Sequence, residues 1–248
     1  MKSLLLLQSA ALPALAAAAS PPAFILAGDS TTAVQSAGGG GWGNGFLSFL
    51  EPPAWGRNLG HNGATTVSFV QGGDWDAVLG HVEDGRGDFD VYVTIQFGHN
   101  DQKPDKGISL EQFQANLERL AQEVKEAGGT PILVTSLTRR TFTSEHQVED
   151  SLHDERLATI AAAAATDTAL LDLNAASIDY VNAIGEAAAH AYNLKEGDRT
   201  HLNDWGSVVF GRMVADLLLR EVDVGCGLRR WIRPNETLSE LIWSGLPA

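Results

Sequence analysis

The run Ala23-Phe24-Ile25-Leu26-Ala27 is apolar throughout and stops at Gly28. It opens the feature that most restricts this chain: short strand-like runs alternate with longer segments of helical spacing. Further strand-like runs occupy residues 55–59, 90–97, 130–135 and 168–173. The run at 90–97, Asp90-Val91-Tyr92-Val93-Thr94-Ile95-Gln96-Phe97, is the clearest, being rich in β-branched and aromatic residues. Helical spacing is read over residues 42–50, 109–126, 148–165, 175–191 and 203–222. Ser109 stands as an N-cap, with Gln112 three residues on in capping-box position. Strands that alternate with helices are joined by crossovers, so they lie parallel and are covered on both faces. The expected fold is therefore α/β, a three-layer α/β/α doubly wound parallel sheet. Right-handed crossovers put the loops that follow the strands along one edge, where ligands bind in such folds.

The chain is 248 residues long, which fits one domain, and no linker or internal repeat divides it. Residues 1–19 read as a signal peptide rather than as part of the fold. Lys2 supplies the positive end, Leu4-Leu5-Leu6-Leu7 begins a short apolar run, and Ala16-Ala17-Ala18-Ala19 offers small-x-small cleavage sites. The run is short for a bilayer span and Pro13 interrupts it. The expectation is a single domain over residues 20–248, secreted, extracellular and not held in a membrane. Its one cysteine, Cys226, excludes an internal disulfide, and a chain of this length buries enough surface to do without one. The sequon Asn235-Glu236-Thr237 would carry an N-glycan in a secreted eukaryotic protein. A net charge of −14 argues against nucleic-acid partners, which need a basic face. A monomer is expected.

Four short blocks fall where the fold would gather its loops. Gly28-Asp29-Ser30-Thr31 follows the first strand directly, so a tight turn there presents the serine hydroxyl at the sheet edge. Asn58-Leu59-Gly60-His61-Asn62-Gly63-Ala64-Thr65 follows the second, and a glycine in it brings a backbone N–H close to a ligand. Gly98-His99-Asn100-Asp101 follows the strongest strand, where a side-chain amide can donate to a developing oxyanion. Asp198-Arg199-Thr200-His201 precedes the last long helix. Its spacing of three lets the carboxylate reach Nδ1 of the imidazole and leaves Nε2 free as a base. Taken singly, each block has a plainer reading as a turn, an Asx turn or a helix cap. His99, Asp101, Asp198 and His201 match no standard metal-ligand spacing.

The order of the four blocks resembles that of the SGNH hydrolase superfamily, also called GDSL esterases. The resemblance covers most of the chain, from Phe24 to about Val222. Within the superfamily the chain is most similar to the rhamnogalacturonan acetylesterase family. That likeness rests on Ala27-Gly28-Asp29-Ser30-Thr31-Thr32, Gly40-Gly41-Trp42-Gly43, Phe97-Gly98-His99-Asn100-Asp101 and Asp198-Arg199-Thr200-His201. The resemblance implies a flavodoxin-like sheet with Ser30 as nucleophile and Asp198 and His201 as its triad partners. It implies an oxyanion hole made by Ser30, Gly63 and Asn100, with no metal or organic cofactor. Two departures stand out. Family members often carry Gly-Arg-Ser where this chain has Gly63-Ala64-Thr65, and the disulfides of some fungal members cannot form here.

The function this implies is a carboxylic ester hydrolase acting by a Ser-His-Asp acyl-enzyme mechanism. The expected substrate is acetylated plant cell-wall polysaccharide, rhamnogalacturonan in pectin first. Acetylated xylan or another short-chain ester is the alternative on the same machinery, and an inactive carbohydrate-binding protein is the rival from another class. A lipase would show a lid or a larger apolar surface, and the sequence contains no obvious one. Trp42, Trp55, Trp75 and Trp205 are candidate sugar platforms, Trp205 foremost because it follows His201 by four residues. His99, Lys103, Arg57 and Arg199 are candidate contacts for charged sugars.

Overall fold

The computed structural model describes residues 20–223 and 227–248. The signal-peptide reading of residues 1–19 and Cys226 lie outside them. Along the chain the strands are β1 (Pro22–Gly28), β2 (Trp55–Asn58), β3 (Asp90–Gln96), β4 (Thr130–Val134), β5 (Phe142–Ser144), β6 (Gln147–Val148) and β7 (Ala169–Leu171). The helices are α1 (Gly43–Leu47), α2 (Thr66–Gln71), α3 (Asp74–Gly85), α4 (Leu110–Glu126), α5 (His153–Thr166), α6 (Leu173–Ile184), α7 (Glu186–His190), α8 (Asp204–Glu221) and α9 (Glu236–Trp243). Five strands pair in parallel in the order β2-β1-β3-β4-β7, while β5 and β6 form a separate hairpin.

This is the doubly wound architecture that the alternation predicted. Along β1 the side chains alternate between two cores. Phe24 and Leu26 join the one built with α1, α6 and α8, and Ala23, Ile25 and Ala27 join the one built with α3, α4 and α5. Both faces of the strand are thus covered, which explains its continuous apolar sequence. The chain leaves β1 toward the β2 edge, then crosses back to lay β3 on the other side of β1. That reversal opens a crevice at the carboxyl ends of β1 and β3. The two strands pair from Pro22↔Asp90 to Gly28↔Gln96, so Ser30 and Asn100 leave the sheet at neighbouring points.

Several boundaries differ from the sequence expectation. The helix read over 148–165 begins only at His153, because Val148 pairs with Phe142 in the β5–β6 hairpin. The single helix read over 175–191 is two helices, α6 and α7, parted at Gly185 with φ +80°, which a helix cannot accommodate. The segment read over 42–50 is helical only from Gly43 to Leu47. Helices α2, α3 and α9 were not foreseen. Ser109 does cap α4, accepting from the Gln112 N–H at 3.2 Å, but the Gln112 side chain bonds Asn116 instead of closing a capping box. Among the described residues no helix is long and apolar enough to cross a membrane.

Candidate active site

The turn after β1 is built by Asp29. Its Oδ1 accepts from the Thr31 N–H and the Thr31 hydroxyl, both at 2.8 Å, and its carbonyl accepts from Thr32 and Ala33. These bonds fold residues 29–33 tightly and lift Ser30 to the sheet edge. Gly28 is needed here for space. A Cβ would lie 2.4 Å from Thr32 Oγ1 and 2.7 Å from the Gln96 carbonyl. Below the turn, the Gln96 amide donates to Thr31 Oγ1 at 2.6 Å and accepts from Trp42 Nε1 at 2.8 Å. Gln96 therefore clamps the nucleophile turn, the glycine-rich stretch and the end of β3 together. Sequence reasoning missed it. Its signal was a lone amide closing an apolar strand.

Across the crevice, residues 193–202 form a loop closed by the bridge Asn193↔Leu202. Asp198 accepts from the backbone N–H groups of Thr200 and His201 through Oδ1, each at 2.9 Å, and meets His201 Nδ1 through Oδ2 at 2.9 Å. Burial acts to raise the Asp198 carboxyl, but the His201 N–H, the His201 ring and the Thr200 N–H outweigh it and hold it below the ordinary carboxylate value. A carboxylate only accepts, so Nδ1 carries the ring proton and Nε2 presents a lone pair. That Nε2 lies 2.9 Å from Ser30 Oγ. The residues of the first and fourth blocks, 171 positions apart at Ser30 and His201, thus form one hydrogen-bonded chain.

The second and third blocks meet beside it. Asn100 is buried, and its Nδ2 donates to the Ala64 carbonyl at 2.9 Å, next to Gly63. Among the described residues, neither the Ser30 N–H nor the Gly63 N–H has a partner. One amide hydrogen of Asn100 is also uncommitted. Three donors, on the loops that follow β1, β2 and β3, are thus uncommitted.

The remaining candidates divide. His99 is buried, and its Nε2–H donates to the Leu137 carbonyl at 2.8 Å. Burial, reinforced by the Arg139 charge, pushes its pKa well below the usual value. It is a neutral structural group, not a contact for an anionic sugar. Asp101 turns away to the start of α2, where it accepts from the Thr66 N–H and hydroxyl at 2.8 and 2.6 Å. With Asp198 and His201 bonded to each other, the four residues do not form a metal-binding set. Trp42 and Trp75 are core residues, bonded to Gln96 and Glu123. Trp55 packs edge-on against Phe89. Trp205 alone of the four is exposed, at 49%. Arg57 lies exposed on the edge strand β2, Arg199 half-buried in the triad loop, and Lys103 donates to Asn100 Oδ1 at 2.7 Å. Two arginines that sequence reasoning passed over, Arg139 and Arg140, follow β4. Arg139 donates to the His99 carbonyl at 3.3 Å and Arg140 to the His201 carbonyl at 2.7 Å.

Residues 26–208 match the GDSL-like Lipase/Acylhydrolase family. The chain is 32% identical over 187 residues to rhamnogalacturonan acetylesterase RhgT of Bacillus subtilis (strain 168), covering 71% of this chain and 78% of that protein. It is 29% identical over 166 residues to the uncharacterized esterase YxiM of the same strain, of which it spans 42%. The crystal structure of the Bacillus subtilis YxiM protein superposes with a TM-score of 0.70 at 26% identity, over 82% of this chain and 57% of that one. An acetylxylan esterase from Geobacillus stearothermophilus, Axe2, shares the fold, with a TM-score of 0.60 at 21% identity over 88% of this chain and 99% of that one. The match over residues 26–208 spans most of the sequence, and the chain belongs to the GDSL-like lipase/acylhydrolase family of ester hydrolases.

Proposed function

We propose that this chain is a secreted carbohydrate acetylesterase that removes acetyl groups from the rhamnogalacturonan of plant cell-wall pectin. The observation that carries the reading is the unbroken chain from Ser30 through His201 to Asp198, with both links at 2.9 Å. The substrate follows from the name of the relative at 32% identity, a rhamnogalacturonan acetylesterase. In this reading His201 Nε2 takes the proton of Ser30 as its oxygen attacks the acetyl carbonyl. The Ser30 and Gly63 N–H groups and the Asn100 amide stabilise the tetrahedral oxyanion. Asp198 holds the ring and offsets the imidazolium charge. His201 then returns the proton to the sugar oxygen as the C–O bond breaks, leaving Ser30 acetylated. Water, deprotonated by His201, repeats the attack and releases acetate. Ser30 is only 6% exposed, which favours a short acyl group over a long one. Exposed Trp205 is the candidate platform for the sugar chain.

Secretion adds a second expectation, a glycan at Asn235 in a eukaryotic host. Asn235 caps α9, with Oδ1 accepting from the Leu238 N–H at 3.2 Å, so Nδ2 is the atom left for attachment. The test of the function is acetate release from acetylated rhamnogalacturonan, acetylated xylan and a long-chain ester, with Ser30→Ala as control. Fastest release from rhamnogalacturonan, lost in Ser30→Ala, is expected. Faster turnover of xylan would replace the substrate, and faster turnover of the long-chain ester would remove the acetylesterase reading.

A further inference from the structure

Arg140 is a fully buried guanidinium that no carboxylate pairs with among the described residues. Its Nε donates to Asn193 Oδ1 at 2.6 Å and its Nη2 to the His201 carbonyl at 2.7 Å, while Nη1 is buried without a partner. Its backbone is engaged as well. The Arg140 N–H donates to the Arg199 carbonyl at 2.7 Å, and the Arg140 carbonyl accepts from His190 Nε2 at 3.0 Å. The His201 carbonyl receives a second bond from the Leu194 N–H. One side chain therefore grips both ends of the loop that carries Asp198 and His201.

Stability does not account for a charge in this place. Taking a cation out of water costs several kcal/mol, and an apolar side chain of similar volume often serves as well or better. What an apolar side chain cannot do is bond two loop ends at once or place a positive charge behind the Asp198–His201 pair. We propose that Arg140 is a positioning residue for the triad, setting the reach of His201 to Ser30. The proposal rests on the triad reading above. The charged and titratable groups around Arg140 are Asp198, Arg199 and His201 on the gripped loop, His190 with Glu186 on α7, and buried His99 on the far side. Asp198 is the carboxylate among them whose charge favours the Arg140 cation against burial.

The test uses Arg140→Met, which fills the volume without charge or fork, and Arg140→Lys, which keeps the charge but not the fork. Each is assayed with p-nitrophenyl acetate for kcat and KM, alongside thermal unfolding and a Ser30→Ala control. For Arg140→Met a folded protein is expected, with KM nearly unchanged and kcat down about tenfold to a hundredfold, the usual effect of misplacing a reacting group by about 1 Å. Arg140→Lys cannot bond both loop ends as the fork does, so it should recover only part of kcat. Wild-type kcat in the folded Met variant overturns the proposal, as does a loss that merely tracks the unfolded fraction. If the Met variant does not fold, the Lys variant decides: wild-type kcat overturns the proposal, and a several-fold fall at constant KM supports it. Activity surviving in Ser30→Ala would instead remove the triad reading itself.

Discussion

Asn100 holds two loops together and still keeps one amide hydrogen uncommitted. Its Nδ2 donates to the Ala64 carbonyl, and the Lys103 ammonium donates to its Oδ1, which polarises the amide toward donation. A bond to the oxyanion strengthens as charge develops, so it matters more in the transition state than in the ground state. Asn100→Ala is expected to lower kcat by about 10²–10³ with a much smaller change in KM. A fall in thermal midpoint with kcat within a few-fold of wild type would reduce Asn100 to a loop tie. Beside the nucleophile, burial raises the Asp29 carboxyl from 3.8 to about 6 against its two Thr31 bonds, and its Oδ2 has no partner. The folded state then holds this proton more tightly than the unfolded state. The stability it contributes is full below about pH 4 and is lost as pH rises through about 6, a change of roughly 3 kcal/mol. Asp29→Asn keeps Oδ1 for Thr31 and removes the buried charge. Its midpoint relative to wild type should therefore rise from pH 4 to pH 7, and a constant offset would contradict this. The blocks that hold Ser30, Gly63, Asn100, Asp198 and His201 could be read from the sequence because each is short and lies beside a strand or helix end. Gln96 and Arg140 could not, because what marks them is burial and a long-range partner, which no local pattern records.

At the scale of elements, Asp172 joins three of them. It caps α6 at the Ala175 N–H, accepts from Thr135 at the end of β4, and pairs in a fork with Arg156 of α5. Burial acts to raise its carboxyl, but the Arg156 and Thr135 bonds win and hold it below the ordinary value. Asp172→Ala is expected to cost about 2 kcal/mol, from a lost cap and a half-buried charge-assisted bond. A depressed carboxyl contributes stability above its unfolded pKa and loses it as pH falls through the folded one. The gap between variant and wild type should therefore narrow only below about pH 4, and urea unfolding at about pH 2.5 and about pH 7 measures it. The five parallel strands were legible because apolar strands flanked by helices leave a simple pattern. The β5–β6 hairpin was not. Its two to three residues are too short for a period, and Val148 joins it through pairing and a bond from its N–H to Asn182 Oδ1. Helices α2 and α3 escaped because Gly72, Gly73 and Gly80 weaken their helical propensity. They form through burial of Phe69, Trp75, Val78 and Val82 on the sheet.

Across the whole molecule, a charge of −14 meets a substrate that, in the proposed reading, is itself a polyanion. Like charges slow encounter, and salt screens them within about 8–10 Å at physiological strength. The kcat/KM for pectic polymer is therefore expected to rise between low and physiological ionic strength, while that for p-nitrophenyl acetate stays level. A fall with salt would mean that local cations near the site, such as Lys103 and Arg199, outweigh the overall field.

The central claim is that Ser30 is the activated nucleophile, and covalent capture tests it most directly. The folded protein is treated with a labelled serine-reactive phosphonate and its peptides are mapped by mass spectrometry. The account predicts one label, on Ser30, lost in His201→Ala while the fold is retained. A label on another residue, or none on a folded wild-type protein, would contradict it.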